Sequence, residues 1–266
     1  MHLDVHLSTF KDLSGIDNGK KFLDILSSHG FNIEKIDEFE PVKKDFSEET
    51  FEKFWEGHTC PRGITLCGII FKGSADAKFT GMISWGKNLH PESESVNAFN
   101  LWINVKKSYD MSKLIHLIDD IFVWSEAVYG CISEKGRCLL NIPIQNNNGA
   151  RKTAYNILIG GLYGLMWVNY FGKPYINKED FILPENAIKL AYGARLQLTE
   201  KPDDERLTDM QFIESYCNII GDKWFWHYKE MVKEGKYYVA YMKDGFHMGK
   251  VCKPCFDRSG IVRKDH

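Results

Sequence analysis

Hydrophobic and polar residues alternate strictly in AFNLWINV (98–105), where Phe99, Leu101, Ile103 and Val105 interleave with Asn100, Trp102 and Asn104. Period two marks a strand with one face on a core and the other toward water. ITLCGIIF (64–71) and KFTGMISW (78–85) show the same apolar and aromatic bias between polar connections, so the three together predict an antiparallel meander. Further strands are predicted at VHLSTF (5–10), AVYGCIS (127–133), ARLQLT (194–199) and KYYVAYM (236–242).

Other segments follow the helical period. Over 17–29, Phe22, Ile25 and Leu26 share one face, Asp17 or Asn18 suits the cap, and Gly30 follows the end. SEETFEKFWE (47–56) predicts a short helix with Ser47 at the N-cap, two glutamates at the positive end of the dipole and a stripe of Phe51, Phe54 and Trp55. Leu114, Ile115, Ile118, Ile121 and Phe122 place a longer helix at 111–126. Helices are also predicted at 184–191, at 209–220 behind a Thr208 cap, and at 222–233. Helices and strands mix without regular alternation, which points to an α+β fold of antiparallel sheet and packed helices. The polar stretch PIQNNNGARKT (143–153) reads as a connecting loop between an N-terminal half, 1–142, and a C-terminal half, 154–266. The two mixed halves are expected to form one compact unit.

Composition excludes more than it assigns. The 266 residues carry a net charge of −2, which gives no electrostatic case for nucleic acid or an anionic membrane. The longest apolar stretch, YNILIGGLYGLMWVNYFG, is broken by glycines and contains Asn156 and Asn169, so no membrane span is expected. MHLDVHLSTF lacks a basic segment followed by an apolar run, and the expected location is cytoplasmic. Seven cysteines, an odd number scattered through apolar segments, favour reduced thiols over a disulfide framework.

Catalytic motifs are scarce. The chain has no GxSxG elbow, no Walker-type phosphate loop, no HExxH and no kinase signature. In GGLYG, bulky Leu162, Tyr163 and Leu165 stand where a backbone would have to approach a phosphate, so no cofactor is expected. Cys252 and Cys255 have metal-ligand spacing, but a zinc site would need His247 and His266 to complete it, and whether they do so is left open. Neighbouring carboxylates such as Asp119 with Asp120, or Asp203 with Asp204 and Glu205, allow a hydrolase as an alternative reading, and the cysteine pair a zinc-dependent enzyme. A phage-defence sensor is a further one.

Charge is distributed unevenly. Residues 34–56 hold nine acidic side chains against four lysines, interleaved with Phe46, Phe51, Phe54 and Trp55. Acidic surfaces steer association with cationic partners, and aromatic anchors supply the desolvated centre of an interface. Glu38, Glu40, Asp45, Glu48, Glu49, Glu52 and Trp55 are therefore candidate contacts for a basic protein, a nuclease-type toxin being one such class.

One stretch, GGLYGLMWVNYFGKPYI (160–176), packs glycine and aromatic residues at unusual density. It reads as scaffold: the aromatics each bury large areas, and Gly172 before Lys173-Pro174 suits a turn with positive φ. Together with LPENAIKLAYGARLQLTEKP and IIGDKWFW it resembles the bacterial immunity proteins of polymorphic toxin systems, near the immunity protein 52 type, over about 158–226. The matching positions are Tyr163, Trp167, Asn169, Tyr170, Phe171, Gly172, Pro174, Tyr175, Gly193, Leu198, Thr199 and Pro202. The resemblance implies an α+β fold, no cofactor, no catalysis, and a cognate toxin neutralised by protein–protein contact, as in type VI secretion and other interbacterial competition.

Overall fold

The computed structural model describes residues 1–9, 11–59, 65–87, 97–134, 162, 164–221 and 224–225. The predicted element at 222–233 apart from Trp224 and Phe225, the predicted strand at 236–242, the connecting loop 143–153, Tyr163, and the Cys252, Cys255, His247 and His266 group lie outside these residues. In chain order the elements are β1 (His2–Thr9), α1 (Ile16–Ser28), β2 (Asn32–Asp37), β3 (Lys44–Asp45), α2 (Glu48–Glu56), β4 (His58–Thr59), β5 (Thr65–Ser74), β6 (Lys78–Lys87) and β7 (Asn97–Asn104). There follow α3 (Met111–Ser125), β8 (Tyr129–Glu134), β9 (Val168–Gly172), α4 (Lys173–Ile176), β10 (Ile188–Leu190), β11 (Gly193–Gln197), a 3-10 turn (Glu205–Thr208) and α5 (Met210–Ile220). The fold is α+β.

All eleven strands join one antiparallel sheet in the order β10-β11-β9-β8-β1-β7-β6-β5-β2-β3, with β4 pairing separately on β5. The meander β5-β6-β7 forms as the alternation predicts, with Ile69 opposite Ile83 and Ile83 opposite Phe99. β1 returns between β7 and β8, and β8 pairs with β9, so strands from both halves of the chain share the sheet.

The helices α1, α2 and α3 cover one face. Phe22 of α1 lies 5.7 Å from the ring of Phe71 on β5 and 5.9 Å from that of Phe99 on β7, with Trp55 of α2 5.9 Å away. All four are at most 3% exposed, and each such aromatic contributes roughly 1.5–3 kcal/mol on burial. At the β8-β9-β11 end both faces are covered. Tyr170 stacks on Phe122 of α3 on one side, and Phe171 packs on Tyr175 and Phe181 on the other. All five residues of β9 are consequently buried.

The signature residues sit in this doubly covered region. The Trp167 indole N–H donates to the Thr199 carbonyl at 2.9 Å. Asn169, fully buried, closes a reciprocal pair: its carbonyl accepts from the Met166 amide and its amide donates to the Met166 carbonyl, both at 2.8 Å. Pro174 stands in the first turn of α4, where its missing N–H costs no helix bond. Gly172 does not take positive φ as expected: its φ is −74°. Glycine is required there by close approach, since a Cβ would stand 2.2 Å from the Ala127 carbonyl oxygen.

A buried ion pair ties α3 to the same strands. Asp119 accepts a short hydrogen bond from the Arg195 guanidinium of β11, with both side chains at most 15% exposed. Burial lifts the Asp119 carboxyl above its ordinary value while Arg195 pulls it back. Burial also drives the neighbouring Tyr170 phenol well above its usual range.

Three local expectations are corrected. α1 begins at Gly15 (φ 89°), with no side-chain cap from Asp17 or Asn18; Asn18 instead donates back to the Ser14 carbonyl at 2.8 Å. The helix at 184–191 is replaced by a turn closed from the Ala187 amide to the Pro184 carbonyl, then by β10, which hairpins onto β11. The cap of α5 is Asp209, whose carboxylate accepts from the Gln211 amide, while Thr208 donates to Glu205 within the 3-10 turn.

Trp167→Ala is expected to cost about 3–5 kcal/mol through the cavity it leaves and the hydrogen bond to the Thr199 carbonyl it removes. Arg195→Ala should cost about as much by leaving Asp119 buried without its counter-charge. Urea unfolding of each variant checks both; a loss under about 1 kcal/mol for either would contradict its assigned role.

Candidate partner-binding surface

The acidic segment forms the rim at the β2-β3 edge. Glu38 and Glu40 lie in the loop after β2, Asp45 on β3, and Glu48, Glu49 and Glu52 on α2. Ser47 caps α2 as its sequence suggests, accepting from the Thr50 amide at 3.2 Å. Lysines offset part of the charge: Lys20 meets Glu52 at 3.1 Å, and Lys35 and Lys44 reach Asp45 and Asp37 at 3.6 Å. Pairs this exposed contribute little to stability, so the surface keeps its acidic character. Glu40, Glu48 and Glu49 are exposed and take part in no ion pair among the described residues.

Trp55 is not part of that surface. It is 0% exposed, donates its indole N–H to the Leu13 carbonyl at 3.2 Å, and stacks 5.3 Å from Phe51. Phe51 and Phe54 are buried with it, because a stripe at helical spacing on an amphipathic helix turns toward the sheet. The aromatic that the acidic rim does present is Phe39, 67% exposed between Glu38 and Glu40.

On the sheet face opposite the three helices, β1, β7, β6 and β5 expose their second set of side chains. A groove of about 460 Å³ opens there, lined by His2, Glu40, Ile70, Thr80, Met82 and Trp102. The register explains the lining. Thr80 stands opposite Trp102, Trp102 opposite Asp4, and Met82 opposite Ile70, so residues from four strands meet on one face. Glu40 reaches in from the loop after β2.

Beside the groove runs an ordered polar ladder. His2 holds Asn104 through Nδ1 at 2.7 Å and faces Asp4 at 3.0 Å. His6 Nδ1 donates to the Asn100 side-chain carbonyl at 2.7 Å, which leaves Nε2 to accept from the Ser8 hydroxyl at 2.8 Å. Ser8 is 1% exposed, so this relay fixes three side chains in place and offers no nucleophile to solvent. Burial pushes the His6 imidazole below its ordinary value, against the Asn100 hydrogen bond that raises it.

Three of the carboxylates considered for hydrolysis, Asp119, Asp120 and Asp204, are held in pairs. Adjacent on α3, Asp119 turns in to Arg195 and Asp120 turns out to His29 at 2.7 Å. Asp204 caps the 3-10 turn by accepting from the Arg206 amide and pairs with Arg206 at 2.8 Å. Among the described residues no three His, Cys, Asp or Glu side chains gather as a metal site, and no helix is long and apolar enough to cross a membrane. Sequence reasoning missed the groove. Its one signal was Trp102 on the polar side of the β7 alternation.

No family model and no curated protein matches the chain. Among solved structures, a Pseudomonas aeruginosa T6SS protein is similar at 10% identity and a TM-score of 0.46, covering 80% of this chain and 76% of that one.

The lowered His6 pKa makes stability pH-dependent. Above its unfolded value of about 6.5 the imidazole is neutral in both states and adds no penalty. As pH falls below that value the unfolded chain binds a proton that the fold resists, so stability declines. Chemical unfolding at pH 7.5 and pH 5 should show this loss, and His6→Gln should flatten the profile across that interval.

Proposed function

We propose that this chain is an immunity-type protein that binds a cognate bacterial toxin and neutralises it by stoichiometric contact in the cytoplasm, without catalysis of its own. The observation that carries the reading is the groove on the open sheet face, where Trp102, Met82 and Ile70 sit half-buried beside an acidic rim. Aromatic and apolar side chains presented to solvent with carboxylates at their margin are the composition of a protein interface: an anchoring centre surrounded by polar residues that exclude water. Glu48 and Glu49 of α2 and Glu40 of the loop after β2 favour a basic partner, a nuclease-type toxin among them, and would act mainly on the rate of encounter. The sequence resemblance over 158–226 supports the same reading from the scaffold side.

The test is co-expression with the toxic C-terminal domain encoded beside the gene, followed by native mass spectrometry of the pair. Rescue of growth and a one-to-one complex are expected; failure to rescue against every neighbouring toxin would overturn the reading. Glu48→Lys with Glu49→Lys should slow association by about tenfold at low salt and by much less at high salt, with dissociation nearly unchanged.

A further inference from the structure

The groove has a chemistry narrower than a generic interface. We propose that it is a receptor for a single cationic side chain, an arginine or lysine, projected by the protein partner. This deepens the preceding reading and rests on it for the identity of the partner.

Three observations converge on that guest. Trp102 presents an indole on the open face, its side chain makes no hydrogen bond among the described residues, and an indole face is the strongest aromatic acceptor of a cation. Glu40 lines the same groove, is exposed, and takes part in no ion pair, so its carboxylate is available to a guanidinium or ammonium group. Between them Ile70, Met82 and Thr80 supply an apolar floor for the methylene stem of such a side chain. Volume agrees: about 460 Å³ accommodates one long side chain with its water, not a folded element.

Other charged groups share this face. Asp4, opposite Trp102 in the ladder, places a second carboxylate beside the indole and is held by His2 at 3.0 Å. Lys72, opposite Thr80, Lys35, opposite Lys72, and Lys78, opposite Asn104, face the same side and oppose a cation there. The carboxylates of Glu40 and Asp4 are the groups a guest head group can meet on this face. The nine acidic residues against four lysines over 34–56 make the approach to the groove favourable for a partner rich in such side chains.

The experiment uses N-acetyl-arginine amide as the probe and the indole N–H resonance of Trp102 as the reporter, assigned by its loss in Trp102→Phe. A saturable shift is expected at concentrations on the order of millimolar, as suits one anchoring side chain in isolation. N-acetyl-norleucine amide, which has a stem and no charge, should shift it at least about fivefold more weakly. Glu40→Gln should weaken the arginine probe about tenfold and Lys72→Gln should tighten it, whereas Glu49→Gln, on the α2 rim, should leave it unchanged. No saturable shift at Trp102, or equal response to the neutral probe, overturns the proposal. If Trp102→Phe perturbs folding, the same titration read at the assigned methyl of Met82 decides the matter. Binding of the probe without neutralisation of any neighbouring toxin leaves the receptor and removes the immunity reading. Neutralisation that survives intact in both Trp102→Leu and Glu40→Gln removes the receptor and leaves immunity.

Discussion

A single antiparallel sheet covered on both faces at one end and on one face at the other is the constraint from which the rest of this molecule follows. At the β8-β9-β11 end, Phe122 and Tyr170 fill one side while Phe171, Tyr175 and Phe181 fill the other. At the β1-β7-β6-β5 end, Phe22, Trp55, Phe71 and Phe99 seal only the helical side. The doubly buried end gives rigidity; the singly buried end leaves a face on which side chains can meet a partner.

Polar chemistry is divided along the same line. Buried polar groups at the covered end are tied to one another, as Asn169 is to Met166 and Arg195 to Asp119, because a stranded donor or charge in that environment is costly. On the open face the ladder of His2, Asn104, His6, Asn100 and Ser8 keeps its members oriented by hydrogen bonds between side chains. The side chains of Glu40 and Trp102 stand outside that ladder, without hydrogen bonds among the described residues, and this distinguishes them from the ordered groups around them.

Legibility in the sequence tracked this asymmetry. The meander β5-β6-β7 and the helices α1, α2 and α3 were readable because one-sided burial imposes a clean period of two or of 3.6. β9 was not, because VNYFG is buried on both faces and loses its alternation. The β10 edge was misread as helix because three residues at a sheet margin carry too little pattern to reveal a pairing partner. Trp55 was taken for a surface anchor on the charge of its neighbours, although its place in the Phe51-Phe54-Trp55 stripe already turned it inward.

The sequence by itself determined the α+β class, the helix stripes, the Ser47 cap and the acidic excess over 34–56, all of which are local properties of composition and spacing. Tertiary structure alone decided that β8 pairs with β9, that Asp119 finds Arg195 76 positions away, and that Glu40 and Trp102 line one groove. The reason is physical. Periodicity reports which side of an element is buried, but not which element buries it, and a binding groove is made of side chains that share a face only after distant strands have come into register.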